Sequence, residues 1–105
     1  MRMPKVEHVD GALRALADPG RRRILTLVRS EERTAGEIAA ELPITWPAVS
    51  QHLRVLKGAG LLAERRDGTR RYYRARPEGF AGVREFLDGF WDEKLQTLKR
   101  EVERG

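Results

Sequence analysis

The sequence of 105 residues contains no cysteine and only two histidines. Disulfide bonds and thiolate metal sites are therefore excluded, and cysteine usage says nothing about the compartment. His52 lies on the flank of a predicted helix, where packing is a more common role than catalysis. The acidic pairs Glu31-Glu32 and Asp92-Glu93 are adjacent residues, which do not converge on one point of a helix. We therefore expect no enzyme, no catalytic residue, no bound metal and no cofactor.

Long hydrophobic runs are also missing from the chain. No apolar stretch approaches the roughly 18 residues that indicate a membrane span. The first ten residues, MRMPKVEHVD, lack the apolar centre of a signal peptide. There is no internal repeat, no low-complexity tract and no glycine-rich phosphate loop. These absences favour a cytoplasmic protein with no membrane partner.

What the chain does have is a concentrated basic segment. The net charge is +5, with 40% hydrophobic and 35% charged residues, which suits one small helical domain. Residues 54–76 carry eight basic and two acidic side chains, whereas residues 78–104 carry five basic and seven acidic ones. Such a patch attracts polyanions. Chains this short bury only about 60–65% of their unfolded surface, which favours a dimer.

Caps and hydrophobic periodicity divide the chain into an N-terminal arm at 1–8 and a folded domain at 9–105. Five helices and a two-stranded hairpin are predicted, mainly α with a small β-hairpin. The helices are expected at 9–17, from Asp18-Pro19 to about Ser30, from the Thr34 cap to Pro43, from the Thr45 cap to Gly58 and Gly60, and onward from Pro77. Strands at 61–66 and 69–75 enclose Asp67-Gly68, a type I′ turn signal. The inward residues of the first four helices are predicted to be Leu13, Leu16, Ile24, Leu25, Leu27, Val28, Ile38, Ala39, Leu42, Val49, Leu53 and Leu56.

Residues 34–58 have the pattern of a helix-turn-helix, whose second helix enters the major groove of duplex DNA. With its apolar stripe inward, this helix must turn Ser50, Gln51 and Arg54 outward. Gln can pair with adenine and Arg with guanine, while a small residue such as Ala48 can touch a thymine methyl group. The alternative is an ordinary solvated face. Trp46 could also fold back onto the third helix.

The basic hairpin that follows completes the pattern of a winged helix. A two-residue loop at Asp67-Gly68 would pair Thr69 with Arg66 and Arg70 with Arg65. Alternation then places two residues on the core side and four on the other. The core-side pair is Leu62 and Tyr73, and the opposite set is Arg65, Arg70, Tyr72 and Arg74. A solvated basic hairpin is the alternative to contact with DNA.

The candidate DNA-contacting residues lie in the second helix of the motif and in the wing. They are Thr45, Trp46, Pro47, Ala48, Ser50, Gln51, Arg54, Arg65, Arg66, Thr69, Arg70, Arg71 and Tyr72. A further basic triplet, Arg21 to Arg23, opens the second helix. Contact with the DNA backbone, pairing with a nearby acid and simple solvation all remain open for it.

The last helix is longer and richer in aromatic residues than one small core requires, so its apolar stripe is expected to serve both the core and a second subunit. The candidate dimerisation residues are Leu13, Phe80, Val83, Leu87, Phe90, Trp91, Leu95 and Leu98. A small effector lodged between subunits near Trp91 is compatible with this pattern. A membrane-surface role is disfavoured because the polar face of the helix is net acidic.

The whole arrangement resembles the ArsR-type winged-helix repressors. The resemblance rests on four segments in the right order, between about residues 9 and 103. They are LADPGRRRIL at 16–25, EIAAEL at 37–42, PAVSQHL at 47–53 and RRDGTRRYY at 65–73. It implies a homodimer joined through its first and last helices, which binds an inverted-repeat operator and represses transcription. It also implies that Pro47, Ala48, Ser50, Gln51 and Arg54 belong to the recognition helix and Arg66 to Arg71 to the wing.

The chain departs from the metal-sensing members of that family. Their cysteine pair falls at Thr34 and Gly36, and the last helix lacks the histidines of the alternative zinc site. Asp88 and Asp92 alone are hard oxygen donors and a poor transition-metal set. The sequence therefore favours the metal-independent branch and a sequence-specific DNA-binding regulator. The rival prediction is a winged helix used as a protein-interaction adaptor, against which the basic wing argues.

Overall fold

The computed structural model describes residues 6–104, with the side chains of 9–91 and 97–104. The helices are α1 (Val6–Leu16), α2 (Pro19–Leu27), α3 (Ala35–Glu41), α4 (Trp46–Gly58) and α5 (Ala81–Arg104), and a 3₁₀ turn spans Pro77–Phe80. The strands are β1 (Arg33–Thr34), β2 (Leu62–Asp67) and β3 (Arg70–Ala75). They form one antiparallel sheet in the order β1-β3-β2. The predicted fold, mainly helical with a small basic hairpin, is confirmed.

The helix caps read from the sequence are present. The Asp18 carboxylate accepts the backbone N–H of Arg21 at 3.0 Å, with Pro19 at the start of α2. Thr34 and Glu37 form the reciprocal capping box of α3, with N···O distances of 3.2 and 3.0 Å. Thr45 caps α4 by accepting the N–H of Ala48 at 3.3 Å. These bonds set where three consecutive helices begin.

Several boundaries differ from the sequence-based expectation. The first helix begins at Val6, so the end of the predicted arm is helical, while residues 1–5 lie outside the described residues. The second helix ends at Leu27 rather than near Ser30. Pro77 opens a 3₁₀ turn, and α5 proper starts at Ala81. The strand β1 was not predicted, because a two-residue strand is too short to have a periodicity of its own and is defined by its partner β3.

The core lies where α2, α3, α4 and the base of the hairpin meet. Its largest fully buried side chains are Ile24, Val28, Ile38, Val49, Leu56 and Leu61. Among the described side chains of α1, Ala12 and Ala15 are buried, whereas Leu13 is 41% exposed. The prediction that Leu13 faces inward is therefore wrong: the small alanines let α1 pack closely, and the larger leucine is left on the outer face.

Candidate nucleic-acid interface

The helix α4 presents the residues that the sequence assigned to DNA reading. Val49, Leu53 and Leu56 are buried, so the helix can pack in one orientation only. Ser50, Gln51 and Arg54 are exposed on the opposite side, as predicted. Thr45 and Pro47 are exposed at the start of the helix, and Ala48 is half-buried. The exposed side of α4 therefore carries Ser50, Gln51 and Arg54, while the buried side fixes the orientation of the helix.

Trp46 folds back onto α3, which was one of the two expectations for it, and its contact with DNA stays a prediction. Its side chain is 57% exposed. One edge of the ring covers Gly36 of α3, where an added Cβ would lie 3.3 Å from Cη2 of the indole. The remaining face is open beside Thr45 and Pro47. Trp46 thus connects α3 and α4 and leaves part of its apolar surface exposed at the start of α4.

His52 packs between α4 and the start of α2, as the sequence indicated. Its Nε2 lies 3.7 Å from Oδ2 of Asp18, and its Nδ1 is buried without a hydrogen-bond partner among the described residues. The pKa of Asp18 is held below its usual range, chiefly by the N–H of Arg21 and also by nearby His52. His52 therefore connects α4 to Asp18, the N-cap residue of α2.

The hairpin register differs from the prediction, but the faces do not. Arg66 pairs with Arg71 and Asp67 with Arg70, so the loop is Gly68-Thr69 and not Asp67-Gly68. Gly68 has φ +64°, the positive value that a type II′ turn needs at its first central position. The shift moves each cross-strand partner by two residues, which preserves the alternation of faces.

The two faces of the hairpin are consequently those read from the sequence. Leu62 and Tyr73 are buried on the core side. Arg65, Arg70, Tyr72 and Arg74 alternate onto the other side. At the tip, Arg66, Thr69 and Arg70 are exposed. The tip is therefore a cationic surface on the same chain segment that follows α4.

Arg65 is already engaged within the chain. Its Nε donates to both carboxylate oxygens of Glu32 at 3.1 Å, and its Nη2 donates to Oε1 at 2.5 Å. Its guanidinium also stacks over the Tyr72 ring, 4.6 Å from the centroid. The hydrogen bond from Arg65 holds the pKa of Glu32 below its usual range. This forked, stacked contact ties the wing to the segment before β1.

Glu64 has a structural role that sequence reasoning missed. Its carboxylate is only 15% exposed and accepts from Nζ of Lys57 at 2.9 Å and from the Tyr73 hydroxyl at 3.2 Å. Nη1 of Arg71 lies 3.8 Å from Oε1 of Glu64. One acid thus connects the C-terminal end of α4 to both strands of the wing. An isolated acidic residue in an arginine-rich hairpin was the available signal.

We expect Glu64→Gln to lower the free energy of unfolding by about 1 kcal/mol at neutral pH, because a charged acceptor is replaced by a neutral one. The Lys57 hydrogen bond holds the pKa of Glu64 below its ordinary value of 4.5. A lowered folded-state pKa adds stability above pH 4.5 that is lost as the pH falls through the folded value. Urea unfolding from pH 7 to 3 should therefore show a shallower acid loss in the variant. Exposed Glu78→Gln is the control, and identical pH profiles for the two variants would contradict the expectation.

The basic triplet at the start of α2 has a structural role that the sequence left open. Arg21 donates to the carbonyls of Ala15 at 2.6 Å and Arg14 at 3.0 Å. Arg22 donates to those of Leu16 at 2.7 Å and Ala17 at 3.1 Å. The two guanidinium groups satisfy carbonyls at the C-terminal end of α1, where cations are also favoured by the helix dipole. Arg23 is exposed.

The comparisons with known proteins agree with this architecture. Residues 18–64 match the model of the bacterial regulatory proteins of the arsR family. The chain is 48% identical over 86 residues to the HTH-type transcriptional regulator Rv2034 of Mycobacterium tuberculosis, covering 82% of this chain and 80% of that protein. It is 38% identical over 65 residues to the transcriptional repressor SdpR of Bacillus subtilis, covering 62% and 72%.

A solved structure is similar as well. It is the homodimeric winged helix-turn-helix DNA-binding domain Mb0332 from Mycobacterium bovis, with a TM-score of 0.67 and 34% identity, covering 87% of this chain and 84% of that one. The chain belongs to the arsR family. It is a winged helix-turn-helix transcriptional regulator, in which α3 and α4 are the helix-turn-helix and β2 and β3 the wing.

The positions that this arsR-family chain offers in place of the expected cysteine pair do not fit a metal ion. The Thr34 hydroxyl is used in the cap of α3, and Gly36 has no side chain and lies under Trp46. Asp88 lies 3.6 Å from Arg84, and the Asp92 side chain is outside the described residues. Among the described side chains, no group of three or more histidines and acids could hold a metal ion. None of the described helices is long and apolar enough to cross a membrane.

The outer face of α5 carries a run of uncovered aromatic and aliphatic side chains. They are Phe86, Leu87, Phe90, Trp91, Leu98 and Val102. Phe86, which the sequence reading overlooked, meets Phe90 edge-to-face with 5.3 Å between ring centroids. Val83 is buried and Phe80 packs on the core, so these two predicted dimerisation residues serve the fold of the single chain. Leu95, another predicted dimerisation residue, lies outside the described side chains.

Proposed function

We propose that the protein is a homodimeric transcriptional repressor that binds an inverted-repeat operator in duplex DNA. One observation carries the proposal: the exposed Ser50, Gln51 and Arg54 stand on a helix whose opposite face is fully buried, directly before a cationic wing. This is the arrangement in which a recognition helix enters the major groove. In a two-fold dimer, two such helices would enter successive grooves about 34–36 Å apart.

The base-reading part of the proposal assigns one task to each side chain of α4. Gln51 pairs with adenine and Arg54 with guanine through two hydrogen bonds each. Ala48 and Trp46 supply apolar contact, while Ser50 and Thr45 bind phosphate or base oxygens. Pro47 keeps the first turn of the helix preformed.

In this proposal the wing contacts the DNA backbone beside the bases that α4 reads. Arg66, Thr69, Arg70 and Arg71 contact phosphates or the minor groove, which positions the protein without reading bases one by one. Tyr72 and Arg65 face each other across the hairpin, one position further from its loop than Arg66 and Arg71. Since Arg65 already holds Glu32, its main contribution is to aim the wing.

The dimeric part of the proposal rests on the uncovered apolar face of α5 and on the homodimeric state of the related Mb0332 domain. Monomers seldom leave contiguous apolar patches of this kind exposed. We also propose that the protein has no enzymatic activity, acts in the cytoplasm and belongs to the metal-independent branch of its family. A small molecule is left open as its effector.

Two measurements test whether the protein binds DNA at all. The chain should be retained on heparin at moderate salt, and it should shift sheared duplex DNA in a gel. A protein-interaction adaptor built on the same fold would do neither. Loss of both signals would overturn the proposed function.

We expect Gln51→Ala and Arg54→Ala each to cost about 1–3 kcal/mol of operator binding and to relax specificity at one base-pair position. The reason is that each substitution removes one bidentate base contact and no phosphate contact. Affinities for single-base variants of the operator measure this. A uniform loss on every sequence would contradict base reading.

Arg70→Ala should weaken binding on all sequences and reduce the salt slope of log K by about 1, because one phosphate contact is lost. Titrations between low and moderate salt check this value. Arg100→Ala, which removes the same charge from the exposed end of α5, is the control and should leave the slope unchanged. Equal salt slopes for Arg70→Ala and the natural chain would show that the wing does not contact the DNA.

A further inference from the structure

A second surface, away from α4 and the wing tip, has the properties of a ligand site. It is an open groove of about 600 Å³ between α2 and the start of α5. Its floor is apolar and is formed by Leu16, Leu25, Ala75, Pro77 and Phe80. A volume of this size is typical of small-molecule sites. The proposed DNA contacts use none of these residues.

The edge of the groove is cationic. Arg22, Arg29 and Arg84 all line it, and no acidic side chain is among its described lining residues. Arg22 is held in place because its Nη1 donates to the carbonyls of Leu16 and Ala17. Arg29 is exposed two residues after the end of α2, and Nε of the exposed Arg84 lies 3.6 Å from Oδ2 of Asp88 on α5. An apolar floor with a cationic edge complements one kind of molecule, an apolar body with a single anionic head.

We propose that this groove binds a small amphipathic monocarboxylate, with its hydrocarbon body on Phe80 and Leu25 and its carboxylate between Arg29 and Arg84. Arginine is suited to this task because its planar fork can bind a carboxylate through two hydrogen bonds. A neutral molecule of the same shape would lack that contact.

The groove is also placed to affect the regulator. Its walls are α2, which packs on the reading helix α4, and the first turn of α5, which leads to the proposed dimer face. A ligand that spans both walls would bias their relative position and so the spacing of the two reading helices. This regulatory step rests on the proposed function, whereas binding to the groove does not.

The test is a titration of the full chain, without DNA, with decanoate and with decanol, followed by amide chemical shifts. Decanoate should bind once per chain and shift amides of Thr26, Arg29 and Ala81 at the groove. Decanol should bind at least about tenfold more weakly, because the charge-assisted contact is missing. Arg29→Gln should weaken decanoate about tenfold and leave decanol unchanged. Arg23→Gln, which removes an exposed charge from α2 outside the groove, is the matched control.

Any one of several results would overturn the site. They are equal binding of decanoate and decanol, shifts confined to the α5 face around Trp91, and equal effects of Arg29→Gln and Arg23→Gln. A groove covered by the second subunit would give no saturable shifts and would also overturn it.

Adding decanoate to the DNA complex then tests regulation separately: unchanged DNA affinity with intact groove binding would reject the regulatory step alone. Absence of DNA binding in the ligand-free protein would reject the proposed function and leave the site standing.

Discussion

The double variant Phe90→Glu/Trp91→Glu is expected to be monomeric and to bind its operator at least about 100-fold more weakly than the natural chain. Both side chains are about three-fifths exposed, at 62% and 61%, so the single chain does not need them for its own core. Two carboxylates on this face would be buried without partners in a dimer, at a cost that an apolar interface cannot offset. A monomer also loses the gain from binding two half-sites at once, which is typically about 10²–10⁴ in affinity.

Sedimentation without DNA measures the first effect, and a gel shift with the full operator measures the second. Phe90→Leu/Trp91→Phe is the conservative control, because it keeps the surface apolar, and it should remain dimeric. Circular dichroism should show unchanged helix content in both variants. A glutamate variant that is still dimeric, or a monomer that binds the full operator as tightly as the natural chain, would contradict the proposed assembly.

The second large effect is expected from Gly79→Ala, which should lower the free energy of unfolding by at least about 3 kcal/mol. A Cβ on Gly79 would overlap the carbonyl oxygen and carbon of Gly60 and lie 3.2 Å from the Cα of Leu61. All three atoms belong to the backbone, so no flexible side chain can give way. Overpacking of this kind usually costs about 1–3 kcal/mol, and rigid surroundings raise the figure.

The position of the clash explains why it cannot relax cheaply. Gly60 has φ +77° and follows the end of α4. Its neighbour Leu61 donates to the carbonyl of Leu56 at 3.0 Å and accepts from the N–H of Arg76 at 2.9 Å. The turn therefore joins the reading helix, the base of the wing and the approach to α5. Moving it would disturb all three.

Urea unfolding checks the Gly79→Ala prediction, with Gly58→Ala as the matched control. Gly58 is the last residue of α4, and an added Cβ there meets nothing within 4 Å. The control should be neutral or slightly stabilising, since alanine favours the helix. The midpoint of thermal unfolding should fall by more than about 10 °C for Gly79→Ala alone. A loss below 1 kcal/mol would show that the turn can shift.

The reading helix could be predicted from sequence because all its determinants are local. The Thr45 cap, Pro47 in the first turn and the spacing of Val49, Leu53 and Leu56 define where α4 starts and which side is buried. The exposed side then follows from helix geometry alone. The faces of the wing were predictable for the same reason, since alternation along a strand is local.

What sequence reading missed depends on partners distant in the chain. The sequence did not distinguish a loop at Gly68-Thr69 from one at Asp67-Gly68, because one glycine satisfies either turn type. The pairing of the whole strands decides between them. The role of Arg65 depends on Glu32, which lies 33 residues earlier. The prediction for Leu13 was wrong because helical spacing alone does not show whether Leu13 or the neighbouring alanines of α1 face the core. The alanines at 12 and 15 became buried only through close packing of α1 against other helices.

The most direct test of base reading by a two-fold dimer is selection of bound sequences from a random duplex pool, carried out with and without EDTA. We expect an inverted repeat whose half-site centres lie about 10–10.5 base pairs apart, or a multiple of this spacing, and the same sequence in both conditions. Arg54→Ala should lose preference at one symmetric pair of positions. Enrichment of a single unrepeated site, or no enrichment at all, would show that the protein does not read bases as a two-fold dimer.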